Sequence, residues 1–153
     1  MKAIALAASL VLLGGPADAA PRSPGTGVGV VVGNPTGVTL KHWPDPSLAF
    51  DAGIGFSGDA AFYADFLWHS WDLFPPPSRG RLAAYAGLGP RLETERTAVL
   101  GLRTIAGAAY WLAGRPVEIF MEGGPVFRLA PGRGVDIDIG AGIRFYFSAA
   151  PKE

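Results

Sequence analysis

An all-β fold, specifically an eight-stranded antiparallel up-and-down (meander) transmembrane β-barrel, is what this 153-residue sequence predicts. Three observations carry the expectation. Apolar and polar residues alternate with period two through most of residues 26–147, and turn-forming residues break the alternation at roughly 8- to 15-residue intervals. No later window holds 18 uninterrupted apolar residues, and no stretch keeps a helical apolar spacing for more than about two turns, so a helical membrane protein is excluded.

Taken in order, the first strand is read at 26–32 and closes on Gly33-Asn34-Pro35; the second, 36–43, closes on Pro44-Asp45-Pro46. The third, 47–56, sets Leu48, Phe50, Ala52, Ile54 and Phe56 on one face against Ala49, Asp51, Gly53 and Gly55 on the other, and Ser57-Gly58-Asp59 follows it. The fourth, 59–70, runs into the stiff Pro75-Pro76-Pro77-Ser78 link. In the fifth, 80–90, Leu82, Ala84, Ala86 and Leu88 oppose Arg81, Ala83, Tyr85, Gly87 and Gly89. The 91–97 link after it has no Gly or Pro and is polar instead, with Glu93, Thr94, Glu95, Arg96 and Thr97. The sixth strand, 98–111, turns at Ala113-Gly114-Arg115-Pro116, and the seventh, 117–128, turns at Pro131-Gly132-Arg133-Gly134. Alternation is clearest in the eighth, 135–147: Ile137, Ile139, Ala141, Ile143, Phe145 and Phe147 share a face, against Asp136, Asp138, Gly140, Gly142, Arg144 and Tyr146.

Short links force neighbouring strands to run antiparallel, and an even number of such strands can close on itself and leave no free edge. Alternation alone does not say which face is inside; the composition of the polar face decides. Gly and Ala dominate it, with sparse charges of both signs, which suits a crowded interior better than a solvated surface. An eight-strand barrel has room inside only for side chains. The lumen candidates are Lys41, Asp51, Asp65, Arg81, Arg103, Glu118, Glu122, Asp136, Asp138 and Arg144, read as an internal ion-pair network with an acidic excess, because an unpaired buried charge costs several kcal/mol.

Residues 1–19 read as a secretory signal peptide: Lys2, an apolar run from Ala3 to Leu13, a Gly14-Gly15-Pro16 breaker, and cleavage after Ala19. The run is too short to cross a bilayer as a helix, and no Cys adjoins the cut to carry a lipid. Residues 20–147 form the barrel domain, and 148–153 a short tail. With 13 basic and 13 acidic side chains there is no basic footprint for nucleic acid, and without Cys there is no disulfide framework.

Trp43, Trp68, Trp71, Phe74, Tyr110, Trp111, Phe127, Phe145, Tyr146 and Phe147 gather toward strand ends, as the aromatic girdles of a membrane barrel require. Only His42 and His69 could supply imidazole to a metal, and they fall on different strands with no ligand spacing. His69 beside Ser70 suggests a barrel lipase or acyltransferase, but adjacent strand residues point to opposite faces, so His69 is read as an interfacial histidine. Gly123-Gly124 and the Gly140, Gly142 pair are not phosphate loops, since no helix follows them; they read as strand bends or close-packing positions.

The final segment GAGIRFYF, Gly140 to Phe147, resembles the C-terminal signal of outer-membrane proteins, in Gly142, Phe145 and Phe147. That likeness implies insertion by the barrel-assembly machinery; it departs from the family in that Ser148 to Glu153 follow the last aromatic. GNPTGVTLKHW (33–43), ADFLWH (64–69), PVEIFMEGGPVFRL (116–129) and DIDIGAGIRFYF (136–147) resemble small, uncharacterised OmpA- or OmpX-like barrels. The resemblance implies an outer-membrane location in a Gram-negative envelope, no settled activity, and an N-terminus in the periplasm with short outward links near 33–35, 57–59, 91–97 and 130–134. It also implies charged pairs inside the barrel, while the peptidoglycan-binding domain of OmpA has no counterpart here. The expectation is a non-catalytic outer-membrane barrel with a filled, ion-paired lumen and a structural or interaction role, without cofactor or metal, in contact with outer-membrane lipid. Two alternatives stand beside it. A soluble periplasmic, lipocalin-like carrier would hold Phe50, Phe56, Phe62 and Phe66 inside as a pocket, and a lipid-modifying enzyme would depend on His69.

Overall fold

The computed structural model describes residues 25–56, 58–94 and 96–147; the expected signal peptide and the tail at 148–153 lie outside them. Eight strands follow one another: β1 (Thr26–Asn34), β2 (Thr36–Asp45), β3 (Leu48–Phe56), β4 (Ala60–Ser70), β5 (Arg81–Thr94), β6 (Ala98–Trp111), β7 (Val117–Ala130) and β8 (Gly134–Phe147). Each pairs antiparallel with the next, and β8 pairs with β1 from Thr26↔Phe147 to Asn34↔Ile139, which closes the barrel.

The alternation in the sequence becomes two opposed surfaces. Val32, Val38, Phe50, Phe56, Leu88, Met121, Ile137 and Ile139 stand exposed on the outside, while Lys41, Asp51, Leu67, Glu118, Asp138 and Arg144 are buried within. Phe50, Phe56 and Phe62 are exposed, so the pocket that a lipocalin-like carrier would need is turned inside out. The interior is filled by Trp43, Trp111, Leu67, Tyr85, Tyr146 and Phe120 between the charged groups.

Several strands run a residue or two past the expected bounds, and β5 departs furthest. β5 continues past Pro90 to Thr94, with Arg91↔Gly101 and Thr94↔Ala98 still in register with β6, so the polar link shrinks to residues 95–97. Proline lacks the N–H a ladder needs, but β4–β5 pairing lapses between Tyr63↔Arg91 and Phe66↔Leu88, where Pro90 sits. Pro125 in β7 occupies a matching lapse between Arg103↔Val126 and Ala106↔Gly123, and the Thr104 hydroxyl donates to its carbonyl at 3.0 Å.

Glycines on the inner face have a specific use. Tyr63 lies across from Gly53, Tyr85 across from Gly107, Tyr146 across from Gly27 and Phe120 across from Gly142. In each pair a Cβ on the glycine would meet the ring within 2.3–2.7 Å, so the ring lies flat on bare backbone, and that is how large aromatics fit a narrow lumen.

Candidate functional site

Among the described residues, the lumen is the region that gathers the chemistry-bearing side chains, and it is layered along the barrel axis. Nearest the strand ends that carry Thr26 and Phe147 is an aromatic layer. Trp43 packs on His69 with ring centroids 4.1 Å apart and edge-on to Trp111 at 6.2 Å, and Trp111 contacts Tyr146 at 4.4 Å. The Trp43 indole N–H donates to the Tyr146 hydroxyl at 3.2 Å. At the mouth below, the Arg81 guanidinium stacks on Trp71 at 4.0 Å.

The next layer centres on Glu118, fully buried on β7. Its Oε1 accepts from Lys41 Nζ at 3.0 Å and from Arg144 Nη1 at 3.1 Å, and the Tyr146 hydroxyl donates to Oε2. Lys41 Nζ also donates to His69 Nε2 at 3.0 Å, which requires that ring nitrogen to be the bare one. Arg144 Nη2 reaches Asp51 at 2.7 Å; Thr39 donates to the same carboxylate at 2.6 Å and in turn accepts from Arg144.

Arg103 organises the third layer. It is bound to Asp65, to Glu122 at 2.7 Å and to Asp138 at 2.9 Å, with its plane over Tyr63 at 4.4 Å. The Tyr85 hydroxyl donates to Glu122 at 2.6 Å, and the Tyr85 ring also lies 5.1 Å from Lys41, so the second and third layers share it. Asp51 and Asp65 are direct cross-strand neighbours, a repulsive pairing that the fold relieves by giving Arg144 to one and Arg103 to the other. At the far mouth Arg91 pairs with Glu93 at 2.7 Å and approaches Asp138 at 3.4 Å, and Arg128 meets Asp136 at 2.6 Å in a half-exposed pair.

Of the ten expected lumen residues, Lys41, Asp51, Asp65, Arg103, Glu118, Glu122, Asp138 and Arg144 converge in this network. Arg81 does not: it is exposed at the aromatic mouth. Asp136 sits at the opposite mouth with Arg128, outside the buried layers. Arg91 takes the place read for Arg81, and the buried balance is four cations, Lys41, Arg91, Arg103 and Arg144, against five carboxylates, Asp51, Asp65, Glu118, Glu122 and Asp138. The signal for Arg91 was available, since stepping by two from Arg81 through Gly89 lands on it; Pro90 and the polar residues beyond it disguised the strand.

Two further expectations are corrected. Trp43, Trp111 and Tyr146 are not girdle residues, since their rings fill the lumen, whereas Trp68, Phe127, Phe145 and Phe147 are exposed outside. His69 is not interfacial either: it shares the inward row of Asp65 and Leu67 and binds Lys41, while Ser70 faces out, so the two cannot act on one substrate. In the C-terminal motif, the Phe145 and Phe147 rings stand outside 5.4 Å apart, and Gly142 points inward beneath Phe120.

By fold, then, the chain is a small barrel of eight antiparallel strands in a closed meander around ion-paired side chains. Among solved structures it resembles the N-terminal β-barrel domain of Pseudomonas aeruginosa OprF, at 17% identity and a TM-score of 0.55, covering 80% of this chain and 96% of that one. No protein-family model matches the sequence, and no curated protein does.

Proposed function

We propose that the protein is a non-catalytic outer-membrane barrel whose lumen is sealed by ion pairs, with a structural or interaction role in the cell envelope. The observation that carries this is the inversion of its surfaces. Val32, Phe56, Met121, Val135 and Ile139 are each more than half exposed on the outside, while Lys41, Glu118, Asp138 and Arg144 are buried. In water, an apolar exterior of that extent would carry a large hydrophobic cost from hydrating it; against hydrocarbon that cost disappears. Closure of the sheet satisfies every strand edge within the lipid, as a spanning structure requires. Outer-membrane lipid is the partner of the outer face, and the outward Phe145 and Phe147 of β8 are the groups offered to the barrel-assembly machinery during insertion.

The test is fractionation of a Gram-negative host expressing the full chain. The protein is expected in the outer-membrane fraction, and unheated samples are expected to migrate differently from boiled ones on a denaturing gel. Recovery in the soluble periplasm would overturn the reading.

A further inference from the structure

The barrel wall is uneven. β1 to β4 have 9, 10, 9 and 11 residues, whereas β5 to β8 have 14 each. At the mouth holding the aromatic layer the strand ends are close to level, with Thr26↔Phe147, Asp45↔Leu48, Arg81↔Trp111 and Val117↔Phe145 paired there. The surplus therefore accumulates at the other mouth. Three to five residues at roughly 3.3 Å each, along strands tilted by about 40°, raise the rim of β5–β8 above that of β1–β4 by roughly 8–12 Å.

What decides the consequence is the outer face of the surplus. Leu92, Leu100, Leu129, Val135 and Ile137 are all exposed there, so the tall flank stays apolar almost to its tips. Among the described residues, its tips become polar at Thr94, Arg96 and Thr97 and at Arg133 in the last turn. On the short flank the apolar rows end lower, at Val32 and Phe56, with Asn34, Thr36 and Asp59 directly above. The step is abrupt where the circle closes: Gly134–Asp138 of β8 lie beyond the last β1 partner, and the Asn34 side chain donates to the Ile137 carbonyl at 3.1 Å across the gap.

We propose that the barrel carries a wedge-shaped lipid belt, collecting a thinner annulus of lipid along β1–β4 and a thicker one along β5–β8. The occupant is bilayer lipid differing in chain length on the two flanks, because matching belt height to hydrocarbon thickness costs less than exposing Val135 and Ile137 or submerging Asn34 and Thr36. This rests on the membrane reading above.

Because the sequence contains no Cys, single-site probes are clean. Val32→Cys on the short flank and Leu129→Cys on the tall one, each carrying a bimane fluorophore, are placed in vesicles mixing dimyristoyl and dierucoyl phosphatidylcholine. One lipid species at a time bears a chain nitroxide. The ratio of short-chain to long-chain quenching is expected to be about twofold higher at Val32→Cys than at Leu129→Cys. Phe56→Cys and Val135→Cys repeat the comparison should either first variant refold poorly. Equal ratios on both flanks, with strong quenching at each, overturn the wedge and leave the membrane reading standing. An absence of quenching on either flank overturns both.

Discussion

At Glu118 a single carboxylate, fully buried, takes a lysine, an arginine and a tyrosine hydroxyl. Removing its charge leaves Lys41 without a carboxylate partner, against the His69, Trp43 and Tyr85 rings, and leaves Arg144 one carboxylate short, with both cations fully buried. Loss of one partner from a buried ion pair costs about 3–5 kcal/mol, much more than the pair contributes over an apolar replacement. Glu118→Gln keeps the shape and removes the charge, so it isolates this effect. Refolded into detergent micelles, it is expected to unfold at a clearly lower urea concentration than the wild type. Arg128→Ala, which breaks the half-exposed pair with Asp136 at the mouth, is expected to stay within about 1 kcal/mol of it. Equal midpoints for Glu118→Gln and the wild type would mean that the layer around Glu118 is already hydrated.

Along the strands, the ring-on-glycine pairs explain why the inner face reads as glycine-rich. A residue other than glycine at position 53 would push its Cβ to 2.3 Å from the Tyr63 ring, which is itself held beneath Arg103 and cannot swing away. Gly53→Ala is therefore expected to destabilise by about 1–3 kcal/mol, the usual cost of overpacking a filled core. Gly132→Ala, at a turn where nothing lies within 4 Å of the added carbon, is expected to leave the urea midpoint unchanged. A loss at Gly132→Ala matching that at Gly53→Ala would argue against the ring contact as the cause. These pairs also mark what was legible beforehand. Period-two alternation located all eight strands, because that depends only on which face a residue occupies, and eight of the ten charges it named for the lumen meet in one network. It was blind to partners across the sheet. Trp43, Trp111 and Tyr146 share the inward rows of Lys41, Arg103 and Arg144, but the gathering of aromatics toward strand ends suggested a girdle; their rings fill the lumen instead, and Gly27 opposite Tyr146 makes room for one of them. Asp136 and Arg81 were misplaced for a related reason: both are on the inward row, but strand ends at a mouth face solvent rather than the packed interior.

For the molecule as a whole, the proposed sealed lumen makes the layers closures in series along one narrow tube. Trp43, Trp111 and Tyr146 block the lumen at one end; Lys41, Glu118 and Arg144 block its middle; Arg103, with Asp65, Glu122 and Asp138, blocks it nearer the other mouth. An ion crossing such a tube must be dehydrated at every layer, so the barriers add and opening one of them does not open the path. Arg103→Ala leaves three carboxylates facing one another and draws water into the third layer, while the Glu118 layer and the aromatic end stay intact. Trp43→Ala makes room at the aromatic end, but its cavity stops at Lys41, which lay 4.6 Å from the missing ring. In planar bilayers the wild type and both single variants, each checked for the heat-dependent gel shift that reports a closed barrel, are expected to show no steady conductance. A sustained open level in either variant with its barrel intact would mean that one layer alone had been the seal, and that the remaining ion pairs rearrange freely enough to pass ions.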